Sequence, residues 1–192
     1  MAILRAKSDI ISAAPSPVLG GHDGSVRHGI HISERTTPLS GLETAMRLQG
    51  AIFDLDGALL DRTGAPLPGL DPFLSLMKVE DVWMYLVTGG SSAQARRVLD
   101  HSGLSPFFRG ILSAPEHGVS VTAPALYEKA VRRLRTALPA TAVFTAREDM
   151  VPVLKAAGFP VVLVGPGHPP ELQALADQVI EDYGAMTRRV EG

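Results

Sequence analysis

Cysteine is absent from the 192-residue chain, which removes disulfides, thiol nucleophiles and thiolate metal sites together. Redox arguments therefore assign no compartment. A dominant charge is missing too, since 18 Lys and Arg against 20 Asp and Glu leave a formal net charge of −2. No broad basic field marks the chain for nucleic acid or for an anionic membrane, and neither partner is expected. No apolar run approaches the length of a membrane span. Residues 1–10 carry acid as well as base and lack the apolar stretch of a signal peptide. The expectation is a soluble, cytoplasmic protein. What is present is material for a core: 45% of the residues are hydrophobic, over a length that suits one domain with an appendage.

The appendage is read as residues 1–49, a flexible or partner-packing N-terminal extension, with an α/β domain over residues 50–192. Ser12-Ala13-Ala14-Pro15-Ser16-Pro17 and Gly20-Gly21-His22-Asp23-Gly24-Ser25 are turn and loop chemistry with no sustained period. His28 and His31 have the spacing of one helix face and of a metal pair. Gly24 and Gly29 oppose a stable helix there, and ligands on a loose segment first lose ordering entropy. A helical turn is expected over residues 44–49.

The chemistry concentrates just beyond. Residues 51–53 form a short apolar run that reads as a buried strand, closed by Gly57. Asp54 and Asp56 stand one residue apart at its end. In an open parallel sheet the carboxyl ends of the strands line the ligand crevice. Two acids that close repel each other, so such a pair calls for a positive partner, a cation with a phosphate being the usual one. The structural alternative is a strand end followed by an Asx-type turn.

Downstream, strands and helices alternate. Asp71-Pro72 opens a helix with Phe73, Leu74 and Met77 on its apolar face. A strand over residues 82–87 ends in Thr88-Gly89-Gly90-Ser91-Ser92, where a hydroxyl, glycine-rich backbone and a helix start converge as an anion site would require. Helices are expected over 94–101, 123–137 and 153–157, the last stopped by Gly158. Further strands are expected over 110–113, 142–145, 160–164 and 178–181. This order implies a Rossmann-like parallel sheet with helices on both faces.

Phe53-Asp54-Leu55-Asp56-Gly57-Ala58-Leu59-Leu60-Asp61 resembles the first motif of the haloacid dehalogenase-like superfamily of phosphatases and phosphomutases, with Ala58 where that family usually has Thr or Val. The resemblance spans residues 50–184. It implies a phosphohydrolase acting on a phosphomonoester: Asp54 as the nucleophile that becomes an aspartyl-phosphate, Asp56 as general acid and base, and Thr88 with Gly89 binding the phosphoryl group. It also implies magnesium held by Asp54, Asp56 and a later acid. The 31 residues between Asp56 and Thr88, and the step from Thr88 to Val121, leave no room for the family's cap domains. An open site suits a large phosphorylated substrate, or a lid borrowed from another segment such as the extension.

Two motifs depart from the family. Val121 stands at the position of the third-motif lysine, and Lys129 lies two helical turns on, about 12 Å along the axis, too far to replace it. Thr145 and Ala146 occupy the magnesium-binding acid positions. Glu148 and Asp149 follow on the same loop; they either supply the missing carboxylate, Asp149 being assigned to the metal, or cap the next helix. Arg147, beside the vacant acid positions, is either a phosphate contact or a solvated loop residue. The alternative function is a fold that has lost its chemistry and serves as a binding or structural partner.

Overall fold

A computed structural model describes residues 47–120 and 122–187. The calls on the extension up to residue 46, on its histidines and on Val121 lie outside the described residues. Six strands form one parallel sheet: β1 (Gly50–Asp54), β2 (Trp83–Thr88), β3 (Phe108–Ser113), β4 (Thr141–Thr145), β5 (Val161–Val164) and β6 (Gln178–Ile180), in the order β3-β2-β1-β4-β5-β6. The helices are α1 (Leu70–Val79), α2 (Ser92–His101), α3 (Ala125–Leu134), α4 (Met150–Ala156), α5 (Pro170–Leu175) and α6 (Gly184–Thr187).

β1 is central because it is buried on both faces and at every position. Its side chains alternate between two cores, as the two-residue strand period requires. Ala51 and Phe53 join Phe73, Leu74 and Met77 of α1 and Ala95 and Leu99 of α2 on one side. Ile52 joins Leu126, Ala130 and Leu134 of α3 and Met150, Val151 and Leu154 of α4 on the other. Phe53 stacks on Phe144 of β4 at 4.4 Å between ring centroids, and Phe73 on Tyr183 at 4.9 Å. The order in which strands are added reverses between β1 and β4, so the crevice at their carboxyl ends is the topological switch point where ligands of such sheets bind.

Between β1 and β2 the chain makes only a loop and α1, so no inserted domain stands over that crevice. Several boundaries moved from expectation. β3 begins at Phe108 rather than Gly110 because its register slips opposite residues 84–86; a Cβ on Gly110 would lie 2.3 Å from the Tyr85 hydroxyl. α3 stops at Leu134, where Arg135 turns left-handed at φ 59°. α4 starts at Met150 and takes Pro152 into its first turn, where the missing N–H costs nothing. α5 was not anticipated, and residues 47–49 form no helical turn.

Candidate active site

β1 delivers Asp54 to the switch point. It is only 4% exposed, and each carboxylate oxygen accepts a hydroxyl: Tyr127 Oη donates to Oδ1 at 2.6 Å, and Thr145 Oγ1 donates to Oδ2 at 2.5 Å. Burial pushes the Asp54 pKa up to about 6, against the hydrogen bonds from Thr145 and Tyr127 and the charge of Arg147, which pull it down. Burial and the Asp54 charge hold the Tyr127 phenol far above its usual range, so it stays a donor. Removing that donor with Tyr127→Phe should move the Asp54 titration above 6, read from the carboxyl carbon by NMR. An unmoved midpoint would mean that the phenol does not engage the carboxylate.

A cleft of about 320 Å³ opens beside Asp54, lined by Asp54, Leu55, Asp56, Val87, Thr88, Gly89 and Arg147. Five residues singled out from sequence thus meet: the two acids, the threonine and its glycine, and Arg147. Asp56 is exposed and Thr88 buried. The Thr88 hydroxyl accepts the Gly90 N–H at 3.0 Å, which leaves its one proton to be given to an acceptor. A second cleft of about 390 Å³ shares Leu55, Asp56 and Thr88 and runs along α2 past Ala95, Val98, Arg97 and His101.

The helix start lines the second cleft with Asp56 and Thr88, and part of its donor set is used within the chain. Ser91 caps α2 by accepting the Gln94 N–H at 3.2 Å, and the Ser92 N–H and hydroxyl both donate to Glu116 Oε1 at 2.8 Å. A carboxylate of the chain itself thus takes the first backbone donor of α2. Glu116 is held below the usual carboxylate range chiefly by the Ser92 N–H.

Loop 145–149 places its acids in contacts that the sequence does not show. Asp149, assigned to the metal, pairs with Arg147 Nη2 at 2.7 Å. It stands at the N-cap of α4 with no side-chain cap bond. Glu148 reaches His168 Nδ1 at 2.9 Å, so neither acid caps the helix. Thr145, which stands at one of the two vacant acid positions, instead bonds the nucleophile candidate and accepts the Arg147 N–H at 3.0 Å. A Cβ on Gly57, whose φ is +80°, would lie 2.7 Å from the Ala146 Cβ; the loop after β1 and the loop after β4 are in contact there.

The magnesium that the resemblance implies does not fit these residues. Magnesium demands hard oxygens in near-octahedral array, commonly carboxylates with substrate phosphate. Here Asp149 pairs with a guanidinium that faces the same cleft. That leaves the cleft lined by two carboxylates, Asp56 and an Asp54 whose oxygens each already accept one hydroxyl, beside a fixed positive charge. No group of three or more acidic or histidine side chains suited to a metal occurs among the described residues. Nor is any described helix long and apolar enough to cross a membrane.

A family profile described as haloacid dehalogenase-like hydrolase matches residues 58–158. No curated protein matches the sequence. Among solved structures, the chain is similar to a β-phosphoglucomutase from Clostridium difficile, at 16% identity and a TM-score of 0.61, over 75% of this chain and 96% of that one. It is also similar to L-2-haloacid dehalogenase from Xanthobacter autotrophicus, at 18% identity and a TM-score of 0.55, over 67% of this chain and 62% of that one. At such identities the shared feature is the fold.

Proposed function

We propose that this chain, which belongs to the haloacid dehalogenase-like hydrolase family, hydrolyses a phosphomonoester through an aspartyl-phosphate on Asp54. The observation that carries the reading is one cleft that holds a buried carboxylate, a second exposed carboxylate, a hydroxyl, a glycine turn and a guanidinium. An Asp54 oxygen attacks phosphorus, the bond to the leaving oxygen breaks, and Asp56 gives that oxygen its proton. Asp56 then takes a proton from water as the water oxygen attacks the aspartyl-phosphate, which releases phosphate and restores Asp54. Thr88 and the backbone at Gly89 hold the phosphoryl oxygens. The leaving group extends into the cleft along α2, whose open mouth suits a large phosphorylated substrate. The alternative of a fold kept for binding alone draws no support from the described residues.

Purified protein should release p-nitrophenol from p-nitrophenyl phosphate, and Asp54→Asn should reduce release to background. Asp56→Asn should slow it by about 10²- to 10⁴-fold, the usual worth of a positioned acid. Because the attacking carboxylate must be ionised, kcat/KM should rise with pH through about 6. Equal rates for wild type and Asp54→Asn would reject the reading.

A further inference from the structure

We propose that Arg147, rather than a divalent cation, supplies the positive charge that binds the phosphoryl group in this site; the inference rests on the hydrolase reading for the identity of the anion. Three observations converge. First, the guanidinium lines the cleft with Asp54, Asp56, Thr88 and Gly89. It is three-quarters buried, and its charge is felt by the Asp54 carboxylate. Second, its backbone is locked to the candidate nucleophile by a relay: the Arg147 N–H donates to Thr145 Oγ1, and the Thr145 hydroxyl donates to Asp54 Oδ2. The turn that presents Arg147 is thereby built on the reacting carboxylate itself. Third, the two later acids that could complete a cation's shell are engaged elsewhere, Asp149 with Arg147 and Glu148 with His168.

The chemistry suits the role. A guanidinium carries donors in a planar fork that matches phosphate oxygens, and it stays charged at any working pH. A phosphate dianion brought beside ionised Asp54 meets repulsion, and one fixed, partly buried cation in the same cleft offsets it better than the same charge in solution. Asp149 is the more exposed partner of the pair, at 56% against 25%. It orients one edge of the guanidinium and at the same time dilutes its charge. Two opposite effects follow from that geometry. Replacing Arg147 weakens anion binding, whereas replacing Asp149 strengthens it.

The test titrates the full chain with inorganic phosphate by calorimetry, first in EDTA and then with magnesium. Wild type should bind equally in both. Arg147→Met should bind at least about tenfold more weakly, as loss of a charge-assisted contact implies. Arg147→Lys should lie between, keeping the charge and losing the fork. Asp149→Asn should bind several-fold more tightly. If Asp149 were a metal ligand, that variant would instead bind more weakly, and only with magnesium would any binding occur; either result overturns the proposal. So would an Arg147→Met protein of unchanged melting temperature that binds phosphate as wild type does. Asp149 being the exposed partner of the pair, Asp149→Asn should cost no more than about 1 kcal/mol of stability. Turnover of p-nitrophenyl phosphate only with magnesium would remove this inference and leave the hydrolase reading standing. Phosphate binding in EDTA with no turnover at all would do the reverse.

Discussion

Asp54→Asn should make the protein more stable at pH 8 while it abolishes turnover. The reason is the position of the carboxylate, which burial holds at a pKa of about 6 against an ordinary 3.8. A carboxyl group whose folded pKa is raised stabilises the fold when protonated. That contribution is complete below pH 3.8 and is lost as pH rises through 6. The difference corresponds to about 3 kcal/mol that the ionised group costs the folded protein above pH 7. Asparagine avoids the cost. Its carbonyl oxygen can accept the Tyr127 hydroxyl, and its amide can donate to Thr145 Oγ1 once that hydroxyl turns. Urea midpoints of the two proteins should therefore separate with pH, the gap growing by roughly 1 kcal/mol between pH 5 and pH 8. A site that holds an uncomfortable charge for reactivity behaves this way, because activity and stability are then in conflict. A gap that stays constant with pH, or a variant that is less stable at pH 8, would mean that Asp54 is an ordinary structural carboxylate.

The second large effect is expected far from the chemistry. Gly69→Ala should cost about 3–5 kcal/mol, enough to unfold much of the protein at moderate temperature. Gly69 caps the start of α1 with φ +73°, a conformation that a Cβ opposes by about 1–2 kcal/mol. The added Cβ would also lie 2.4 Å from the Gly184 backbone nitrogen and 2.6 Å from the Tyr183 carbonyl carbon. Backbone cannot move aside as a side-chain tip does. The segment it would displace is anchored twice, by the Tyr183 N–H to the Pro68 carbonyl at 3.0 Å and by the Tyr183 hydroxyl to the Ala58 carbonyl at 2.7 Å. Tyr183→Phe, which removes only the second bond, should cost about 1–3 kcal/mol through an unpaired buried carbonyl. A Gly69→Ala protein with the wild-type urea midpoint would show that this C-terminal segment does not pack on the loop before α1.

Much of the fold was legible because local pattern and global arrangement agree. The alternation of apolar strands with helices gave the parallel sheet, and the two acids after residues 51–53 marked the central strand. The meeting of Asp54 and Thr88 followed from strand ends alone, since β1 and β2 pair with Asp54 opposite Val87. What the sequence hid were contacts made between distant positions. Tyr127 carried no signal within the helix expected over residues 123–137, and only the packing of α3 beneath β1 aims its hydroxyl at Asp54. Thr145 was read as a vacancy where an acid was expected, whereas its hydroxyl holds the carboxylate that such an acid would have helped to charge. Glu116 carried no signal at all; it lies 24 residues from the Ser92 amide it accepts from. Asp149 was legible as an acid on the right loop, but its ion pair with Arg147, two positions away, was not.

The role of Asp54 as nucleophile is tested most directly by trapping its acyl phosphate. Wild-type protein turning over p-nitrophenyl phosphate, quenched in acid and reduced with borohydride, should carry homoserine in place of Asp54 in the peptide that spans β1. Asp56 and every other carboxylate should remain unreduced. Turnover that leaves Asp54 intact after reduction would contradict the account.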